Sequence, residues 1–247
     1  MKQLIINFII IFAFTSLAEA GPPYDTDDPE PVEFQHWEIY CSSRPVHDVD
    51  GWSGTAPHFE ANYGALPELQ LHLIAPLAFN APNNGSTSYG FSDAEVGFKY
   101  RFVKESTTLP QIGIFPLIEL PTGNQSKGLG SGNTQVFIPV WLQKSFGKWS
   151  AYGGTGYWIN PGTGNKNYWF TGLQLQRQIT DNFNIGAEIY HTTEKSETEN
   201  SDTRFNIGMV FDASEHHHLL FSIGKSFNNS VLTQGYIGYQ LTFGPGK

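Results

Sequence analysis

Asp93-Ala94-Glu95-Val96-Gly97-Phe98-Lys99-Tyr100-Arg101-Phe102 is the stretch whose reading decides the fold. Its even positions, Ala94, Val96, Phe98, Tyr100 and Phe102, are apolar, and its odd positions, Asp93, Glu95, Gly97, Lys99 and Arg101, are polar or glycine. Successive side chains of a strand point to opposite faces, so this segment has one apolar face and one charged face. The same period of two recurs along the chain. Phe183, Ile185, Ala187 and Ile189 oppose Asn184, Gly186, Glu188 and Tyr190. Phe205, Ile207, Met209 and Phe211 oppose Asn206, Gly208 and Val210. Ile237, Tyr239, Leu241 and Phe243 oppose Tyr236, Gly238, Gln240 and Thr242. Val136-Ile138-Val140-Leu142 and Ile112-Ile114-Ile118-Leu120 repeat the pattern less cleanly.

Carried outward, the alternation predicts about twelve strands, roughly at 34–43, 53–63, 67–79, 90–103, 110–121, 132–145, 149–160, 166–179, 182–193, 203–213, 217–226 and 232–243. Each is near or above the length that crosses a bilayer when tilted. No stretch beyond the first twenty residues shows an apolar period of 3.6, so the expected fold is all-β. The connections separate into two interleaved sets. Gly64–Glu68, Lys104–Leu109, Phe146–Lys148, Thr180–Asp181 and Ala213–His216 are short or modest. Ser43–Trp52, Pro82–Tyr89, Pro121–Ser131, Pro161–Asn165, Glu194–Asp202 and Asn228–Val231 are mostly longer and rich in Gly, Asn and Ser. Short turns alternating with longer loops, on an even number of strands, predict a transmembrane antiparallel up-and-down β-barrel with both termini on the periplasmic side. Aromatics near strand ends (Trp37, Tyr63, Phe79, Tyr89, Trp149, Trp158, Trp169, Phe183 and Phe243) fit interfacial girdles.

The ends of the chain fit export. Lys2, the apolar run Leu4–Phe14 and Ala18-Glu19-Ala20 read as a signal peptide over 1–20, cleaved near Ala20. Residues 21–33, GPPYDTDDPEPVE, hold four prolines and five acidic residues and read as an extended periplasmic arm, with the barrel over 34–247. Two courses are open to that arm: a solvated tether, or a plug folded back into the lumen against Lys99 and Arg101. A lone cysteine, Cys41, excludes an internal disulfide framework. A net charge of −9 argues against a nucleic-acid partner.

The segment Thr26-Asp27-Asp28-Pro29-Glu30-Pro31-Val32-Glu33, followed by His36-Trp37-Glu38-Ile39-Tyr40, and the ending Gly238-Tyr239-Gln240-Leu241-Thr242-Phe243-Gly244-Pro245 carry a resemblance. They resemble the outer-membrane transporter family labelled "MetA-pathway of phenol degradation". Pro121-Thr122-Gly123 after an apolar strand adds to it. The resemblance implies an outer-membrane barrel with a transport role. It brings no established functional residues with it.

Strand parity nominates the interior. His36, Glu38, His58, Glu60, His72, Asp93, Glu95, Lys99 and Arg101 fall on the polar face of the first four strands. Gln70, Gln111, Glu119, Gln174, Gln176, Glu188 and Gln240 join them. Polar groups face hydrocarbon only at high cost, so these are expected to line the lumen or its rims. They could form a solute path, or simply pair with one another. No catalytic, cofactor or metal site is expected. The spacing of His36, His58 and His72, the tract His216-His217-His218, and the acidic arm all lack the regularity of a ligand set. No Gly-x-Ser-x-Gly elbow occurs either. The expected function is passive passage of small, hydrophobic or aromatic solutes. The alternatives are a lipid-modifying hydrolase barrel and a structural or adhesive barrel. Expected partners are membrane lipids, a small-molecule solute and the barrel-assembly machinery.

Overall fold

The computed structural model describes residues 21–228 and 231–245, so the expected signal peptide lies outside the described residues. The strands are β1 (Trp37–His47), β2 (Gly51–Leu66), β3 (Leu69–Pro82), β4 (Ser88–Phe91), β5 (Ala94–Val103), β6 (Gln111–Ile114), β7 (Leu117–Leu120), β8 (Gln135–Phe146), β9 (Trp149–Ile159), β10 (Tyr168–Thr180), β11 (Phe183–Thr192), β12 (Asp202–Asp212), β13 (His217–Ser226) and β14 (Thr233–Phe243). Every pairing among them is antiparallel, and β1 pairs with β14 from Trp37↔Phe243 to His47↔Thr233, closing the sheet.

Two of the twelve staves are interrupted. β4 and β5 both pair with β3 and form one stave; β6 and β7 both pair with β5 and β8 and form the next. The second break falls at Phe115-Pro116, where proline has no N–H to give to a ladder. Its carbonyl still accepts from the Phe98 N–H at 3.3 Å. The result is the closed, twelve-stave barrel that the alternation predicts.

The faces follow the parity read from the sequence. Leu173, Ile207, Ile223 and Ile237 are 60%, 51%, 64% and 53% exposed on the outside, whereas Gln174, Asn206 and Gln240 are buried inside. An aliphatic exterior over a polar interior inverts a soluble fold and suits a hydrocarbon surround.

The first long loop is a correction. Ser43–Trp52 was expected as an outer loop, but β1 and β2 continue and leave only the turn 48–50. Asp48 closes it: its side chain accepts from the Asp50 and Gly51 N–H groups at 2.8 and 3.2 Å. Gly51, at φ 136°, supplies the backbone conformation that a side chain would resist. Pro45 sits opposite Gly54 in the extension, which hides the alternation there.

The girdle expectation also divides. Trp37, Tyr63 and Phe243 cluster outside at the end where β1 begins and β14 ends, with ring centroids 4.5 and 6.4 Å from Trp37. Trp169 meets Tyr157 at 4.9 Å towards the other end. Trp158 instead faces inward and stacks on Phe137 at 4.7 Å.

Ile207→Arg, at the middle of β12 and facing outward, should destabilise the inserted barrel by about 2–4 kcal/mol. Glu95→Gln, facing inward, should fold normally. Urea titration of folded fraction in lipid vesicles measures both, and equal losses would show that the two faces are misassigned.

Candidate functional site

The arm does not hang as a solvated tether: it threads the lumen. Thr26 is 0% and Asp28 1% exposed. Such a course is possible because this segment has few backbone donors. Pro22, Pro23, Pro29 and Pro31 have none. The N–H groups that remain must find partners when buried. Those of Asp25 and Thr26 donate to the two carboxylate oxygens of Glu188 at 2.9 and 2.7 Å. That of Val32 donates to Gln70 Oε1 at 2.9 Å. Those of Asp28 and Glu30 donate to Asp27 and Asp28 side chains within the arm.

The arm's carboxylates meet the wall's cations. Lys99 Nζ lies 2.9 Å from Asp27 and 3.2 Å from Asp28. Arg101 contacts Glu30 at 3.2 Å and Glu68 at 2.8 Å, and Gln111 donates to Glu30 at 3.0 Å. Glu68 sits in the β2–β3 turn. Burial disfavours its charge, but hydrogen bonds from Lys104 and Arg101 outweigh that and hold its carboxyl below the usual range. Higher up, Arg44 contacts Asp25 at 2.8 Å, and Gln234 donates to the same carboxylate at 2.8 Å.

Glycines shape the wall along the arm's course. A Cβ on Gly186 would stand 2.6 Å from the Tyr24 hydroxyl, and one on Gly208 would stand 2.8 Å from its ring. A Cβ on Gly113 would stand 2.9 Å from Pro29, and one on Gly172 would collide with Thr26. Real Cβ atoms do not approach so closely, so these bare positions form a seat moulded to the arm.

Above the arm lies a cavity of about 510 Å³, with Gly21 to Asp25 among its lining residues. Its two sides differ in chemistry. One side carries Arg44, His58, Glu60, His72 and Glu95 from β1, β2, β3 and β5. His72 bridges this set: its Nδ1 faces Asn62 Oδ1 at 2.7 Å and its Nε2 faces Glu95 at 3.0 Å. The other side is aromatic. Phe115, Phe137, Trp141, Phe170 and Tyr190 pack as one buried cluster, with Trp158 against it. Phe170 stacks on Tyr190 at 5.4 Å, and Trp158 on Tyr168 at 5.9 Å.

The nominated residues therefore fall into distinct groups. Lys99, Arg101 and Glu188 hold the arm. His58, Glu60, His72 and Glu95 line the cavity. Glu119 is half-buried opposite Glu95 in the β5–β7 register. Glu38 accepts from the Tyr40 hydroxyl at 2.9 Å, away from both groups. Asp93 fastens the loop after β7 by accepting from the Gly123 N–H at 2.8 Å and the Ser131 hydroxyl at 2.7 Å. His36 is not on a strand. It lies in the turn before β1, with Nδ1 3.0 Å from the Phe34 carbonyl and its ring over Gly244. Gln35, at φ 65°, turns the chain just before it, which sets His36 at the rim where β1 begins. Among the described residues, no group of three or more His, Cys, Asp or Glu comes together as a metal site.

Sequence reasoning missed Arg44, Asn206, Gln234 and the aromatic side. The signal for the last was present. Once Ile138, Val140 and Leu142 face lipid, alternation sends Phe137 and Trp141 inward.

A family model described as "Putative MetA-pathway of phenol degradation" matches residues 48–243. The match begins after the arm and β1. An outer-membrane channel from Pseudomonas putida F1 is similar in structure, with a TM-score of 0.70 at 11% identity over 89% of this chain and 100% of that one. The KdgM porin in complex with disordered oligogalacturonate gives a TM-score of 0.59 at 10% identity, over 83% and 99%. The NanC porin gives 0.55 at 6%, over 84% and 100%. At these identities the likeness is one of fold: a closed antiparallel barrel similar to those of these channels.

The double variant Gly186→Val, Gly208→Val should leave no room for Tyr24 and expel the arm while the barrel remains closed. Limited proteolysis after acidic residues, read by mass spectrometry, should then cut at 25–33, where the unchanged protein resists. Equal protection in both forms would show that the arm is not held by this seat.

Proposed function

Since this chain belongs to the family described as the MetA pathway of phenol degradation, and its barrel is similar to those of outer-membrane channels, we propose that it is a passive outer-membrane channel for small solutes with an aromatic or hydrophobic part. The observation that carries the reading is the cavity of about 510 Å³ with its aromatic side. Pockets of this size accommodate ligands of one or a few rings, and stacked aromatic walls favour flat apolar surfaces. The short turns, with the start of β1 and the end of β14, would face the periplasm, and the apolar exterior would contact membrane lipid. The arm would sit across the path, so that passage requires it to shift or leaves only a narrow way around it. Movement would follow the solute gradient.

The test is planar-bilayer conductance together with liposome uptake of one-ring solutes. The full chain should conduct weakly, and the Gly186→Val, Gly208→Val variant should conduct several-fold more. Absence of both conductance and uptake, from barrels that are demonstrably folded and lack a seated arm, would end the channel reading.

A further inference from the structure

Lys195 stands out among the charged groups of the cavity. It lies in the loop between β11 and β12, and its side chain lines the cavity. Its backbone is fixed by the neighbouring loop. The Lys195 carbonyl accepts from the Lys166 N–H at 3.0 Å and from Asn160 Nδ2 at 3.1 Å. The side chain is therefore presented from a tethered point, and its Nζ stands 5.1 Å from the centroid of the Tyr168 ring.

The other charges here are engaged. Arg44 contacts Asp25, and Arg204 contacts Asp202 at 2.7 Å and Gln234 at 2.9 Å. Asp27 contacts Lys99, and Glu60 and Glu95 both face His72. Among the described residues Lys195 has no carboxylate within ion-pair distance. Glu119, Glu199, Asp25 and Asp202 feel its charge from farther away, and two of these are already paired. Burial, and then the like charge of Arg204, lower the pKa of its amine, as expected of a cation short of counter-charge.

We propose that Lys195 anchors the carboxylate of a one-ring aromatic acid, whose ring lies along the Tyr168, Phe170 and Tyr190 side of the cavity. This rests on the channel reading and narrows it to a substrate class. The pairing is favourable because a charge-assisted hydrogen bond in a partly dehydrated site is stronger than a neutral one. The apolar face of the ring needs no polar partner and gains from edge and face contacts with the stacked aromatics. An aromatic ammonium ion would meet Lys195 and Arg204 with like charge. A neutral aromatic alcohol would gain the stacking but not the charge.

The full-length protein in detergent is titrated with benzoate, benzyl alcohol and benzylammonium, reading tryptophan fluorescence, and with the same solutes as blockers of ionic current in planar bilayers. Benzoate should bind most tightly. Lys195→Gln should weaken benzoate about tenfold and leave benzyl alcohol nearly unchanged, as expected for loss of one charge-assisted bond. Lys195→Arg should restore most of the preference. Equal affinities for benzoate and benzyl alcohol, or an unchanged benzoate affinity in Lys195→Gln, would overturn the assignment. The fluorescence arm reads the subsite without conduction, so its failure is distinguishable from failure of the channel reading.

Discussion

Closure of the sheet is the constraint on which the rest of the molecule depends. A backbone surrounded by hydrocarbon must satisfy each N–H and C=O within the protein, and an open edge would leave a row of them bare. The β1–β14 pairing removes that edge. Once the ring is closed, each strand has one face in lipid and one face inside, and the period of two becomes obligatory. A single inserted residue would turn an aliphatic set inward and a polar set into the membrane. The register shift between Ser42 and Arg44 in β1 and the break at Phe115-Pro116 are places where the pleat is disturbed yet parity survives.

Closure also creates an electrostatic problem. The wall places Arg44, Lys99 and Arg101 inside a narrow barrel, where desolvation offsets much of any attraction. The arm supplies counter-charge at these points: Asp25, Asp27 with Asp28, and Glu30. Lys99 shows the dependence most clearly, because both carboxylates within its ion-pair distance belong to the arm. Such pairs contribute little net stability. They fix where the arm sits, since misplacing it by one residue would strand charges on both sides. Glu188 plays the reverse part, a wall carboxylate that accepts two adjacent arm N–H groups.

These features differ in how far they can be read from the chain. The stave number and most strand limits follow from alternation and turn residues, because lipid imposes one rule on every strand. The exceptions have local causes. β1 and β2 run past the expected loop because Asp48 and Gly51 make a tight turn possible beyond Pro45 and Gly54. The first strand starts at Trp37 and not at residue 34 because Gln35 adopts a left-handed conformation. The charged part of the site is legible in the strand containing Lys99 and Arg101, since charge on one face leaves it nowhere to point but inward. Which acidic residues those cations meet is not legible in strand parity. It depends on the path of an irregular segment, set by prolines without donors and by glycines on strands far apart in sequence. The aromatic side escapes for another reason: an aromatic residue is acceptable in lipid, at an interface or in a lumen, so its type alone does not choose a face.

The two sides of the interior follow from the same parity acting on different residues. On β1, β2, β3 and β5 the inward set includes the charged and imidazole-bearing groups, and on β8 to β11 it is largely aromatic, glycine or amide, with Glu188 the charged exception. An acidic arm can be neutralised only along the first set. It enters near Gln70, Arg101 and Gln111, and climbs past Lys99 to Arg44. Tyr24 and Thr26 reach across to the glycines of β10, β11 and β12. The arm thus fills the lower lumen, and the space left above it is bounded by rings on one flank and by charged and imidazole groups on the other. A solute that follows this route exchanges water for aromatic surface on one flank while charged pairs remain intact on the other. Selectivity would then come less from pore width than from charge on the aromatic flank, where Lys195, among the described residues, has no carboxylate within ion-pair distance.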